Sequence, residues 1–212
     1  MGHERFTDEE HWHRQHIKYT TDNPISRLLV TGFFSSLEKL AGTVGPQQDL
    51  SVLEVGCGIG QSSMRLHRMF GEPEMQVSDF NPYIVKKLQE QSFPFPIRQE
   101  SATNLQREDK SFDVVVLLEV LEHIPDYEEV LSELFRVSRR HVIVSVPNEP
   151  VWRMLNMARG KYWSEWGNTP THVNHWSRWG IQSLVGQYGT VKQVCNPIPW
   201  TMLLAEVDRP SR

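Results

Sequence analysis

The 212-residue sequence predicts an α/β fold with a mostly parallel sheet and helices on both faces. Three observations predict it. Short apolar runs alternate with segments of helical period through most of the chain, the pattern of βαβ units joined by right-handed crossovers. The run Val52-Leu53-Glu54-Val55-Gly56-Cys57-Gly58-Ile59-Gly60 reads as a buried strand entering a three-glycine turn and then a helix. The last two strands have no helix between them, so they should pair as an antiparallel hairpin.

The elements follow in order. Residues 1–20 are charged and are expected to be irregular in part. Asn23-Pro24 can start a helix, in which Ile25, Leu28, Leu29, Phe33, Phe34, Leu37 and Leu40 recur near helical period, ended by Gly42 or Gly45-Pro46. That helix should pack over one edge of the domain and could serve as a lid. Leu50, Val52, Leu53 and Val55 supply the first strand, and Met64, Leu66, Met69 and Phe70 a buried face for the helix after it. Residues 75–79 form strand two, Asn81-Pro82 starts a helix with Ile84, Val85 and Leu88, and residues 95–99 form a short strand three. Residues 112–118 are almost continuously apolar, as in a central strand buried on both faces. Asp126 can cap the next helix, with Glu129 completing a capping box. Residues 141–146 give strand five, stopped by Pro147. A helix is expected within residues 176–188, then strands at 191–195 and 200–207.

Composition narrows the class. The chain is 39% hydrophobic and 23% charged, ordinary for a globular protein of a length that supports one domain with a full core. A net charge of −4 gives no footprint for sequence-independent nucleic-acid binding. Two cysteines, Cys57 and Cys195, allow neither a disulfide framework nor a four-cysteine zinc site. No apolar run reaches membrane-spanning length, and residues 1–16 are too polar for a secretory signal. A reducing, cytoplasmic setting is the expectation. There is no internal repeat.

The glycine turn carries the first chemistry. Dinucleotide dehydrogenases favour G-x-G-x-x-G, with a pyrophosphate at the helix N-terminus. Here the spacing is G-x-G-x-G, with Glu54 two residues before Gly56. A carboxylate there would repel a pyrophosphate and suits a ligand bearing an ammonium and a sulfonium. The stretch from Glu54 to Gly60 closely resembles the first motif, E-x-G-x-G-x-G, of class I S-adenosylmethionine-dependent methyltransferases. Ser111-Phe112-Asp113-Val114-Val115 matches the S-F-D-V-V of that family, and the matching motifs cover roughly residues 50–147. The resemblance implies a Rossmann-like seven-stranded sheet with an antiparallel last strand. It divides the single domain into an N-terminal helical cap (1–45), a cofactor-binding core (46–147), an aromatic substrate-side insertion (148–180), and a C-terminal helix and hairpin (181–212).

Several residues converge on the cofactor. Asp79, at the end of strand two, can accept two hydrogen bonds from a ribose diol, and Phe80 could lie on the adenine. The segment that reads D-A-x-x-L-P in the family is Ser101-Ala102-Thr103-Asn104-Leu105 here, so Ser101 stands where an acid would hold the adenine amino group. The usual proline-glycine-glycine turn before strand five is replaced by Val137-Ser138-Arg139-Arg140. Ligands of open α/β sheets sit beyond the carboxyl ends of the strands, which brings Glu54, Gly56, Cys57, Gly58, Gly60, Gln61, Asp79, Phe80, Ser101, Ala102 and Glu119 toward one crevice.

A second constellation follows strand four: Glu119-Val120-Leu121-Glu122-His123. If one helical turn forms there, Glu119 faces Glu122 and His123. The stretch resembles E-x-x-E-H of ubiquinone-pathway O-methyltransferases and small-RNA 3′-end 2′-O-methyltransferases, some of which bind a divalent metal there. The resemblance therefore allows a metal such as magnesium on Glu119, Glu122, His123 and, from after strand five, His172, with His175 as alternate. The metal-free reading makes His123 a base or orienter beside the acceptor. Trp152, Trp163, Trp166, Trp176 and Trp179, interleaved with Arg153, Arg159, Lys161 and Arg178, suit a flat, amphipathic or anionic acceptor or a plain core. The expectation is a methyl transfer to a hydroxyl of a small or lipid-like acceptor. The rivals are an RNA-end 2′-O-methyltransferase with a metal, a non-catalytic cofactor-binding module and an NAD-dependent oxidoreductase.

Overall fold

The computed structural model describes residues 7–10, 12, 13, 16, 23–45, 49–160 and 162–208. Among them, seven strands form one sheet in the order β3-β2-β1-β4-β5-β7-β6. The strands are β1 (Ser51–Val55), β2 (Glu74–Asp79), β3 (Ile97–Gln99), β4 (Phe112–Leu118), β5 (Ser138–Pro147), β6 (Thr190–Cys195) and β7 (Trp200–Glu206). β7 runs antiparallel between β5 and β6, and the pairs among β1 to β5 are parallel. The chain thus has the doubly wound sheet and terminal hairpin that the sequence predicts.

The helices are α1 (Pro24–Val44), α2 (Gln61–Met69), α3 (Pro82–Glu90), α4 (Tyr127–Val137), α5 (Val151–Ala158) and α6 (Arg178–Val185). Alternation along the central strands sorts the core into two layers. Val114 and Val116 join Leu37, Leu40, Leu66, Ile84 and Leu88 on one face. Val115 and Leu117 join Leu131, Leu134, Ile181 and Val185 on the other. β4 is buried at all seven positions, as its unbroken apolar run requires.

Caps explain where helices begin, with one correction. Asn23 accepts hydrogen bonds from the Ile25 and Ser26 amides, and Asn81 from the Tyr83 amide; Pro24 and Pro82 then open α1 and α3. Asp126 does not cap α4 through its side chain: its backbone has φ −86° and ψ 51°, outside the extended geometry that aims a carboxylate at the first turn. The expected capping box with Glu129 does not form.

Other boundaries also shift. β5 begins at Ser138, earlier than its apolar stretch, because the Ser138 hydroxyl donates to the His141 carbonyl while Arg139 pairs with Asp113 at 2.9 Å. Asp113 also accepts from the Ser51 amide and hydroxyl, which ties β4 to the start of β1. α6 lies within the expected 176–188 span, whereas α5 inside the aromatic insertion has no counterpart among the expected elements. Ile25, Leu28 and Met64, expected on buried faces, are exposed. Most of residues 1–20, Pro46 and Lys161 lie outside the described residues. No described helix is long and apolar enough to cross a membrane.

Candidate active site

The glycine turn is fixed to the end of β2. The Gly56 and Cys57 amides both donate to the Ser78 carbonyl, at 2.8 and 3.0 Å. The Gly58 amide donates to Asp79 Oδ2 and the Asn81 amide to Asp79 Oδ1, each at 2.9 Å. Asp79 therefore belongs both to the turn and to the crevice above it. Gly56 and Gly60 have φ of 73° and 77°, and neither leaves room for a side chain. A Cβ on Gly56 would lie 2.5 Å from Val120 Cγ2, and one on Gly60 would lie 2.3 Å from the Phe93 ring.

Glu54 lies beneath this turn, 1% exposed, and accepts a hydrogen bond from the Ser63 hydroxyl on α2. Its Oε1 is buried and has no hydrogen-bond partner. Burial raises its pKa to about 7, with the Asp79 charge adding to the rise and the Ser62 and Ser63 hydroxyls opposing it. An orphaned carboxylate oxygen under a backbone cradle suits a ligand cation, which would restore its charged form. Cys57 is buried, and desolvation followed by the Glu54 and Asp79 charges pushes its thiol well up, so it is no nucleophile.

The remaining cofactor candidates are placed as follows. Gln61 opens α2, and Ala102 is buried in the second core layer. Phe80 is exposed beside Asp79. Ser101 Oγ lies 2.8 Å from Thr103 Oγ1 and accepts from the Thr103 amide, so a local turn engages the hydroxyl. The buried acid nearby is Glu100, which pairs with Arg107 at 3.0 Å; sequence reasoning missed this pair, whose signal was an acid directly before Ser101.

The second constellation forms with a different membership. Glu119 has φ 58°, and its Oε1 accepts from the Ser145 hydroxyl on β5 at 2.9 Å. The 3₁₀ turn at Leu121–His123 starts after it, so Glu119 does not share a helical face with Glu122 and His123. The ligand atoms of Glu122, His123 and His172 lie within 4.8 Å of one another. Glu119 is not among them, which corrects the four-residue set. His175 is elsewhere: its Nε2 lies 2.7 Å from Asn168 Oδ1, and burial, then the Arg153 charge, lowers its pKa.

The insertion after β5 is stitched onto the 3₁₀ turn. The Val173 and Asn174 amides donate to the Glu122 carbonyl, and the Asn174 side-chain amide donates to the Leu121 and Ile124 carbonyls. His123 Nδ1 lies 2.9 Å from the Thr171 carbonyl. A carbonyl can only accept, so Nδ1 carries the hydrogen and the neutral ring keeps its lone pair on Nε2. That nitrogen is 3.9 Å from Oε1 of buried Glu122. His172 meets the His123 ring edge-on and packs over Trp152. Asn174 was not singled out in the sequence; an amide side chain two residues after His172 was its sole signal. The tryptophans divide: Trp152 and Trp176 pack against the two core layers, whereas Trp163, Trp166 and Trp179 are exposed.

Residues 53–146 match the family model described as a methyltransferase domain. Among the relatives, a demethylmenaquinone methyltransferase of Desulfitobacterium hafniense is 31% identical over 47% of this chain and 42% of its own length. A 2-methyl-6-phytyl-1,4-hydroquinone methyltransferase of Synechocystis is 25% identical over 82% of this chain and 52% of its own length. The chain spans about half the length of these two relatives. Magnesium protoporphyrin IX methyltransferase from Synechocystis, solved with bound SAH, shares the fold at a TM-score of 0.71 and 16% identity, over 93% of this chain and 94% of that one. Sheet order and glycine turn give a Rossmann-like fold, and the matching segment within it is a methyltransferase domain. Over residues 53–146 the chain is thus similar to methyltransferases.

Proposed function

We propose that this chain transfers a methyl group from S-adenosylmethionine, by in-line displacement, to a hydroxyl of a small or lipid-like acceptor. When bound, S-adenosylmethionine supplies a methyl group made electrophilic by its sulfonium. Glu54 and the turn from Gly56 to Gly60 hold the amino-acid end, and Asp79 takes the ribose hydroxyls. Phe80, Ser101 and Ala102 flank the base, and Glu119 closes the crevice beside β4. The acceptor class is supported by the quinone-type substrates in the names of the two relatives.

The single observation that carries the hydroxyl acceptor is the tautomer of His123. With Nδ1–H donated to Thr171, Nε2 takes the acceptor's proton as its oxygen attacks, and the Glu122 carboxylate steadies the imidazolium. His172 limits the room around His123 and keeps its ring in place; His175, held by Asn168, takes no part in this step. Turnover and S-adenosylhomocysteine binding of His123→Ala test this. Loss of turnover with cofactor affinity intact supports the role, and equal loss of both, or of neither, removes it. Binding without turnover toward any hydroxyl acceptor would favour a non-catalytic cofactor module.

A second reading places a divalent metal on Glu122, His123 and His172, as their clustering allows. Two imidazoles and one carboxylate suit zinc or a similar transition ion better than magnesium, which prefers an octahedron of oxygens. Such an ion would lower the pKa of an acceptor hydroxyl, as RNA-end 2′-O-methylation would require. Calorimetric titration with S-adenosylhomocysteine, and turnover measured with added metal and again with chelator, separate the readings. Chelator-insensitive turnover removes the metal.

A further inference from the structure

The carboxyl edge of the sheet, where the site lies, also carries two outward-facing apolar tips. The first is the start of α1. The Phe33 ring lies 5.0 Å from Trp200, which pairs with Pro147 at the carboxyl end of β5, and Thr43 bonds Gln193 farther down β6. α1 therefore descends along the sheet from that edge; Leu29 and Val30 still pack against the core, and the first turn of the helix, residues 24–28, extends beyond them by about 7 Å at the helical rise. Its buried positions begin at Phe33, whereas Ile25 and Leu28 are 67% and 72% exposed. The second tip belongs to the insertion, which leaves the same edge after Pro147 and returns where Trp176 bridges to Asn148. Here Trp163 and Trp166 are 66% and 78% exposed, across a 3₁₀ turn.

These side chains do no packing work within the fold, unlike Trp152 and Trp176 from the same insertion. Their neighbours are cationic. Arg27 stands between Ile25 and Leu28, and Arg159 precedes Trp163, both exposed. Within residues 23–34 the sequence has no acid, and within 151–163 it has Arg153, Arg159 and Lys161 and no acid; Glu165 is the exposed exception beside Trp166. This is a local reversal in a chain of net charge −4. Indoles and branched aliphatics beside guanidinium groups match a membrane–water interface, where rings sit at headgroup depth and cations meet anionic lipid.

We propose that these two tips dock the domain onto an anionic bilayer surface, so that a lipid-like acceptor enters the site from the membrane rather than from water. The inference rests on the lipid-like acceptor reading. Each tip alone would hold weakly, and the pair gives reversible attachment.

Flotation of the purified full chain with phosphatidylcholine vesicles, with and without phosphatidylglycerol, tests it. Binding is expected with the anionic vesicles, accompanied by a blue shift of tryptophan emission. W163S/W166S and I25S/L28S should each lower the bound fraction on the order of tenfold. R27E/R159E should weaken attachment by about fivefold or more per cation removed. Titration with S-adenosylhomocysteine, unchanged in all three variants, shows that they remain folded and that the cofactor site stands apart from docking. Wild-type protein that stays unbound, or binding unaffected by the variants, overturns the proposal. So does a self-association in sedimentation velocity that the variants abolish without any vesicle binding, which would give the tips to a second copy. Wild-type protein that floats but binds no S-adenosylhomocysteine would instead sink the methyl-transfer reading.

Discussion

The two halves of the proposed site are built on different principles. The cofactor half is made by one strand, one turn and the neighbouring strand end, and its fixed points are backbone amides on the Ser78 carbonyl and Asp79. The acceptor half is made where two distant loops meet, His123 and the Thr171 carbonyl that orients it being 48 positions apart in the sequence. The first is locked by steric necessity at Gly56 and Gly60; the second is held by a handful of side-chain and loop hydrogen bonds. Damage to the first should therefore abolish binding, and damage to the second should spare binding and spoil turnover.

Substitution at the chemical centre should show this division most strongly. His123→Ala is expected to lower kcat by about 10²–10⁴-fold, the usual worth of a general base, with S-adenosylhomocysteine affinity unchanged by calorimetry. Gly60→Ala inverts the pattern. A positive φ costs a non-glycine residue about 1–2 kcal/mol, before the Cβ meets the Phe93 ring, and the distorted turn should lose S-adenosylhomocysteine affinity by about a hundredfold. Retained affinity in that variant would break the comparison.

Glu54 sharpens it through pH. Its folded pKa of about 7 lies above that of an unfolded glutamate, so the protonated carboxyl stabilises the apo protein at low pH, and this contribution is lost as pH rises through about 7. A cationic ligand needs the charged form. S-adenosylhomocysteine affinity should thus rise by up to about tenfold per pH unit below 7 and level off above it, while the apo melting temperature loses this contribution over the same range. Glu54→Gln should flatten both trends; a wild-type affinity flat from about pH 5 to 8 would remove the carboxylate from ligand binding. The smallest effect is expected of Asn174→Ala, about tenfold in kcat/KM, because the 3₁₀ turn keeps its bonds to the Val173 and Asn174 amides. A shifted pH–rate profile in that variant would show that the clamp acts on His123.

The sequence was most legible where one residue type alone satisfies the backbone. β4 could be read to the residue from its apolar run, and the glycine turn from spacing, because both constraints are local. Glu119 was misplaced because continuing a helical turn from β4 was the simplest geometry; its left-handed backbone and its bond to Ser145 come from a strand it meets only after folding. Asp126 failed as a cap for a similar reason: composition offers the carboxylate, and the incoming chain decides where it points. The grouping of His172 with Glu122 and His123, as against His175, depends on where Asn174 anchors the insertion, a tertiary fact with no period or motif.

One practical consequence follows from β7. Since it runs against its neighbours, the chain reaches Asp208 at the opposite edge of the sheet from the glycine turn and the histidines. A fluorophore, affinity handle or surface tether attached beyond that point would leave the mouth of the site facing outward and the two apolar tips unobstructed.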